Sequence, residues 1–432
     1  MGNPVNFYSR PDASPINFYG RPAVSTQLEY LGLEASQIGG SDTSNNASQL
    51  SSALTIKRMV VERAVAPGSN NSITWTLVQN GSDTAMKLSL EDAGTLKYID
   101  TDIPVSQNDQ LYTKVEYVGS VSYDTTTFYN ISYLIDGGGV QNFFERNREQ
   151  NLSVDAIEVP IKGGWTNGNV GANRFPLIFP TNGTIKDFSL TSSAPIFSVN
   201  SSGTCEYKLD LKLYGGGTSK LLLINDTVGT SYSSTINKVV SKNDAYTIER
   251  SGNFTVPELN TATFLNYGMT FEAATLGDYI YGITFEEDPD DGPFFYPASG
   301  VLQAATTFER HTTIPFAGTI KNFMGLLSTV AGDQGPITVT LRKNSVDTAL
   351  SFSFTSNTTI AESIADVSVV FGDKLSIKLS SAGSTFGSVR GVSWTFASSI
   401  VNYYPVFWSD QCTGSLPTAT DIIKPINFYS LP

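Results

Sequence analysis

His311 is the only histidine of the chain, and imidazole is the usual base and metal ligand near neutral pH. It stands in Phe308-Glu309-Arg310-His311-Thr312-Thr313, just ahead of a strand pattern, with no Gly-x-Ser-x-Gly anywhere in the chain. A serine triad has no support from this pattern, so a satisfied or surface histidine is the expectation. Carboxylates are densest at Glu286-Glu287-Asp288-Pro289-Asp290-Asp291-Gly292. Several of them could share a calcium ion, but the alternating Asp spacing and late glutamate of a calcium loop are missing. A solvated, proline-stiffened linker is expected instead. Cys205 and Cys412 have no spacing that argues for a bridge, so two inert thiols are expected. Gly137-Gly138-Gly139 and Gly215-Gly216-Gly217 lack the Lys-Ser/Thr and helical pattern of a phosphate loop and read as turns or hinges. A carboxylate pair for glycoside cleavage could hide among 40 acidic residues. Trp75, Trp165, Trp394 and Trp408 could stack on sugars, although Trp75 and Trp394 fall in strand patterns that suit a core. The expectation is no catalytic residue, no metal ligand and no cofactor: not an enzyme, with a glycan hydrolase as the weakest alternative.

The scaffold around these groups has 432 residues, enough for two to four domains. Acidic residues outnumber basic ones 40 to 27, and the net charge of -13 repels a phosphate backbone, so nucleic acid is not expected as a partner. A hydrophobic share of 40% excludes wholesale disorder, and a charged share of 16% points away from long solvated helices. One histidine and two cysteines exclude zinc fingers and disulfide scaffolds. Met1-Gly2-Asn3-Pro4-Val5-Asn6 has neither a basic nor an apolar segment, so no secretory signal is expected. No apolar run reaches the length of about 18 residues that a membrane span needs. A surface-type sequence of this kind suits a protein assembled inside a cell and exposed later, on a virion or a spore coat.

Repeats organise the rest. Ile73-Thr74-Trp75-Thr76-Leu77 and Asn80-Gly81-Ser82-Asp83-Thr84-Ala85 recur 264 residues on as Ile337-Thr338-Val339-Thr340-Leu341 and Asn344-Ser345-Val346-Asp347-Thr348-Ala349. The same shift maps Thr55-Ile56-Lys57 onto Thr319-Ile320-Lys321 and Asp109 onto Asp373 without a gap. A weaker copy between them shows Gly183-Thr184-Ile185-Lys186-Asp187-Phe188, beside Gly318-Thr319-Ile320-Lys321-Asn322-Phe323. Each copy alternates apolar and polar residues, as Leu350, Phe352 and Phe354 do with Ser351 and Ser353, which is the period of a half-buried strand. Asn80-Gly81 is a hairpin signal, and Lys343-Asn344-Ser345 is its counterpart.

Ile314-Pro315-Phe316-Ala317-Gly318-Thr319-Ile320-Lys321-Asn322-Phe323, Thr338-Val339-Thr340-Leu341-Arg342-Lys343-Asn344 and Val369-Val370-Phe371-Gly372-Asp373-Lys374-Leu375 together resemble a jelly-roll unit. The resemblance is to tandem jelly-roll virion surface and minor capsid proteins, and also to the jelly-roll domains of collagen-like spore-surface proteins. It implies an all-β chain of three tandem antiparallel sandwiches with extended arms. The expected divisions are an arm at 1–23, sandwiches at 24–140, 157–287 and 293–397, linkers at 141–156 and 288–292, and an aromatic C-terminal arm at 398–432.

Pro4-Val5-Asn6-Phe7-Tyr8-Ser9-Arg10-Pro11 recurs as Pro15-Ile16-Asn17-Phe18-Tyr19-Gly20-Arg21-Pro22, and again as Pro425-Ile426-Asn427-Phe428-Tyr429-Ser430-Leu431-Pro432. Flanking prolines pre-extend the backbone, and Phe and Tyr give large contact area with few rotors. The expected partner-binding residues are Asn6, Phe7, Tyr8, Arg10, Asn17, Phe18, Tyr19, Arg21, Asn427, Phe428 and Tyr429. Three linked copies would dock on a repeated partner with raised avidity; the alternative is that each packs back on one of the chain's own sandwiches. Ile400 to Trp408 is too aromatic for a free linker and must lie against something. These readings converge on a structural virion protein, a minor capsid, cement or surface-fibre component. Its partners would be other capsid or surface-layer proteins, or further copies of the chain, with three fused units imitating a threefold arrangement. A carbohydrate- or receptor-binding protein of a viral fibre or a spore or cell surface is the alternative.

Overall fold

The computed structural model describes residues 26–32, 48–49, 52–63, 68–92, 95–107, 109–118, 129–148, 157–159, 161, 176–192, 195–197, 206–225, 229–253, 264–287, 293–298, 309, 311–327, 336–355, 358–381 and 389–409. Every helix or strand among them is a strand. In chain order these are β1 (Thr26–Gly32), β2 (Ser48–Gln49), β3 (Leu54–Arg63), β4 (Gly68–Gln79), β5 (Ser82–Asp92), β6 (Leu96–Val105), β7 (Gln110–Val118) and β8 (Tyr129–Asp136). Then come β9 (Gln141–Arg148), β10 (Ile157–Val159), β11 (Leu177–Ile178), β12 (Gly183–Ser192), β13 (Glu206–Leu213), β14 (Thr218–Asn225), β15 (Ser231–Val240), β16 (Ala245–Asn253) and β17 (Phe264–Ala273). The last are β18 (Asp278–Glu287), β19 (Phe294–Pro297), β20 (Thr312–Thr313), β21 (Gly318–Leu327), β22 (Ile337–Lys343), β23 (Val346–Phe354), β24 (Ile360–Ser363), β25 (Val367–Val369), β26 (Lys374–Ser381), β27 (Val389–Ser398) and β28 (Tyr403–Ser409).

They form six antiparallel sheets, packed in pairs as three jelly-roll sandwiches. The first faces β28-β8-β3-β6 with β1-β7-β4-β5. The second faces β9-β17-β12-β15 with β10-β16-β13-β14. The third faces β18-β27-β21-β24 with β19-β26-β22-β23. Short β2, β11 and β20 lie beside β7, β16 and β26. Trp75, Tyr207 and Trp394 are fully buried in the three cores, and the Trp394 indole donates to the Ala298 carbonyl at 3.0 Å.

Local chemistry repeats with the sequence. Gln79 pairs with Ser82 and Lys343 with Val346, leaving two-residue turns. Asn80 and Gly81 have φ of 51° and 80°, and Asn344 and Ser345 have 52° and 64°, the left-handed pair a tight hairpin requires. Each asparagine then ties a second turn. Asn80 Nδ2 donates to Asp109 Oδ1 at 2.7 Å, and Asn344 Nδ2 to Asp373 Oδ1 at 2.8 Å. Thr84 Oγ1 donates to the Leu77 carbonyl and Thr348 Oγ1 to the Leu341 carbonyl, both at 2.7 Å. Each Thr-Ile-Lys segment ends in a register shift, after Ile56, Ile185 and Lys321, where a bulge re-aims the strand.

Two glycines show how neighbouring positions compensate. A Cβ on Gly183 would stand 2.3 Å from the Phe271 ring, and one on Gly318 2.2 Å from the Phe396 ring. The first sandwich has Leu54 at that site, and Ile135 where the others have phenylalanine: small with large twice, medium with medium once.

Three segments lie elsewhere than the sequence divisions expected. Residues 141–148, expected in a linker, are β9, paired with β17 of the second sandwich. Residues 278–287, expected in the second sandwich, are β18, paired with β27 of the third. Residues 403–409, expected in an arm, are β28, paired with β8 of the first. The period-two pattern gives a strand's existence, but not which sheet it joins, because that partner is chosen by packing between segments far apart in the chain.

Candidate functional site: the seams of a closed ring

The connections β8 to β9, β17 to β18 and β27 to β28 are each four residues long, at 137–140, 274–277 and 399–402. Strands β9 and β18 each lead the sandwich they complete. Strand β28 fills the same place in the first sandwich, so the chain closes on itself. The register agrees: Gln141 pairs with Phe271, Tyr279 with Phe396 and Tyr404 with Ile135.

These three matched residues bind in a cycle. Gln141 Nε2 donates to the Ile280 carbonyl, and the Ile280 amide donates to Gln141 Oε1, each at 2.8 Å. Tyr279 donates its hydroxyl to the Val401 carbonyl. The Asn142 amide donates to the Tyr404 hydroxyl at 3.1 Å. Thus β9 holds β18, β18 holds the turn into β28, and β28 holds β9. Gly139 lies against Leu276 and Asn402, and Gly277 against Val401, so the three turns also meet. Tyr281 stacks on Trp394 at 4.6 Å and meets Phe407 at 5.4 Å. The first and third sandwiches share one continuous core there, while Ile280 turns into the core of the second.

Each short strand leans on the next sandwich, β2 on the second, β11 on the third and β20 on the first. Pairings match one position across all three seams: Gln49 with Gln110, Ile178 with Ala245 and Thr313 with Lys374. The matched positions on the neighbouring sandwiches are Thr191, Leu326 and Glu62, which pair with Asn266, Gly391 and Asn130 at the same register. The chemistry differs at each. Between the second and third sandwiches, Ile178 and Ala245 pack with Met324 and Leu326 in an apolar cluster. Between the third and first, Glu62 is buried and ionic: Thr313 Oγ1 and Lys374 Nζ donate to its carboxylate, and His311 Nε2 lies 3.1 Å from it. Between the first and second, Thr191 and Gln110 are uncharged.

Burial alone would raise the Glu62 carboxyl, but the bonds from His311, Lys374 and Thr313 outweigh it and hold it at about 2. This cluster is not a nucleophile relay. Thr313 Oγ1 and His311 Nε2 meet the same oxygen, Oε2, so the imidazole does not stand between hydroxyl and carboxylate. His311 is therefore a satisfied side chain, as its sequence context suggested. Around the ionic seam, Arg58 donates to the Pro315 carbonyl at 3.1 Å and lies over the Tyr98 and Phe371 rings. At the apolar seam, Lys242 meets Glu362 at 2.6 Å.

The sequence-derived partner-binding residues Asn6, Phe7, Tyr8, Arg10, Asn17, Phe18, Tyr19, Arg21, Asn427, Phe428 and Tyr429 lie outside the described residues, as do Cys205, Cys412 and residues 288–292. Trp75 and Trp394 are core residues, which removes two of the four tryptophans considered for sugar stacking. Among the described residues no cluster of His, Cys, Asp and Glu is arranged for a metal ion, and no helix is long and apolar enough to cross a membrane. Sequence reasoning did not single out Glu62, because the residues it meets stand roughly 250 to 310 positions away and nothing local marks it.

No protein-family model and no curated protein matches the chain. Solved structures give loose likenesses. One, described under "The Triple Jelly Roll Fold and Turret Assembly in an Archaeal Virus", is 10% identical over 83% of this chain and 80% of its own, at a TM-score of 0.14. PNGF-II is 8% identical over 77% and 99%, at 0.18. VP2 of the infectious bursal disease virus subviral particle is 8% identical over 89% and 83%, at 0.17.

Proposed function

We propose that this chain is a structural component of a virion, a single-chain brick in which three copied jelly rolls replace a trimer of separate ones. The observation that carries this reading is the closure of the first sandwich by β28. A body tied head to tail through buried strands resists shear between its units and presents fixed outer surfaces. On this reading one ancestral unit was copied twice, which accounts for bonds recurring 264 residues apart. The terminal Asn-Phe-Tyr motifs are then fasteners on repeated capsid or surface-layer subunits, and the body needs no chemistry of its own.

The test substitutes alanine for both aromatics in each motif: Phe7 and Tyr8, Phe18 and Tyr19, Phe428 and Tyr429. Incorporation into assembled particles should be lost while thermal unfolding stays within about 2 °C, because on this reading the motifs contact the partner and not the sandwiches. A large fall in melting temperature would mean that the arms pack on their own chain. Unchanged incorporation would overturn the fastener role.

A further inference from the structure

We propose that the β8 edge of the first sandwich is a strand-acceptor site for β28 of a second copy of this chain, so that copies join by exchanging that strand. The inference does not depend on a virion role. The site is built for one sequence: Tyr404, Val406 and Phe407 are fully buried against it, and seven consecutive pairs, Tyr403 with Asp136 through Ser409 with Asn130, form its ladder.

Two features set this strand apart from its equivalents. Strands β9 and β18 run directly into the sandwich they complete and pair with β17 and β27 further along the chain, Gln141 with Phe271 and Asp278 with Ala397. Strand β28 completes its sandwich by pairing Tyr403 with Asp136 of β8, about 270 residues upstream and roughly twice the separation of the other two pairings, so its closure carries the entropy of a longer loop. A second copy offers the identical ladder and pockets, and exchange needs no new contact.

The hinge points the same way. The first connection contains Gly138 and Gly139 at φ of 64° and 92°, and the second contains Gly277 at 88°. These residues favour a tight reversal. The third is Ser399-Ile400-Val401-Asn402, without glycine, and Ile400 and Val401 are 50% and 45% exposed. Two adjacent β-branched residues favour an extended chain. Straightened, they would run β27 into β28 as one long strand reaching a neighbour.

The experiment mixes full-length chain with a heavy-isotope copy, incubates both near the unfolding midpoint, returns them to native buffer and reads mixed-mass oligomers by native mass spectrometry. A locked chain carries Asp136→Cys and Tyr403→Cys in a Cys205→Ser, Cys412→Ser background, which ties β28 to its own β8 when oxidised. Mixed oligomers from the unlocked chain should exceed those from the locked chain at least tenfold, and reduction of the lock should restore them. Equal amounts from locked and unlocked chains would overturn the proposal. So would the absence of mixed species from the unlocked chain.

Discussion

The seam between the third and first sandwiches can be rewritten with residues the protein already uses at the matching seam. Glu62→Leu alone leaves Lys374 and His311 without their shared carboxylate. Removing one partner of a buried ionic contact costs about 3–5 kcal/mol. The Lys374 side chain is 44% exposed and can turn its ammonium to water, so the lower end, about 3 kcal/mol, is expected. Adding Thr313→Ile and Lys374→Ala places Leu, Ile and Ala where Leu326, Ile178 and Ala245 stand in the apolar seam. Replacing a buried ionic group by packed apolar ones is commonly neutral or better, so the triple variant should return to within about 1 kcal/mol of the parent. Urea unfolding followed by tryptophan fluorescence measures this, with Trp75 and Trp394 buried in the two sandwiches concerned. If the triple variant is no more stable than Glu62→Leu, the seams are not equivalent in packing and the threefold correspondence fails.

Two further outcomes concern Glu62 and the contact between Gly318 and Phe396. Glu62 is held at about 2 against an ordinary 4.5, so its charge adds stability that is full above pH 4.5 and is lost as pH falls toward 2. That is on the order of 3 kcal/mol, and acid unfolding of Glu62→Gln should lack this share of the pH dependence; an unchanged acid limb would show that other carboxylates carry it. Gly318→Leu drives a side chain into the Phe396 ring and should destabilise by about 3 kcal/mol or more. Adding Phe396→Ile, which recreates the Leu54 and Ile135 pair of the first sandwich, should recover most of the loss in calorimetry. A double variant less stable than Gly318→Leu would refute the compensation.

Features that depend on a few neighbouring residues were legible in the sequence. Alternation in Leu350-Ser351-Phe352-Ser353-Phe354 gave β23, and Asn80-Gly81 gave a tight turn, because side-chain period and left-handed backbone are local properties. The constant shift of 264 carried the turn bonds of Asp109 and Asp373 with it. Ile400 to Trp408 was readable as a segment needing cover, since so much aromatic surface is unfavourable in water. Nothing in it named β8 as the cover.

Composition, period and turn chemistry therefore fixed an all-β chain of antiparallel sandwiches, because each acts over a handful of residues. Only the tertiary structure decided that Tyr403–Ser409 completes the first sandwich and that Glu62 meets His311, Thr313 and Lys374. Those partners come together when three separately patterned units pack around shared turns, and a pairing made across some 250 or more residues leaves no mark on the spacing of either side.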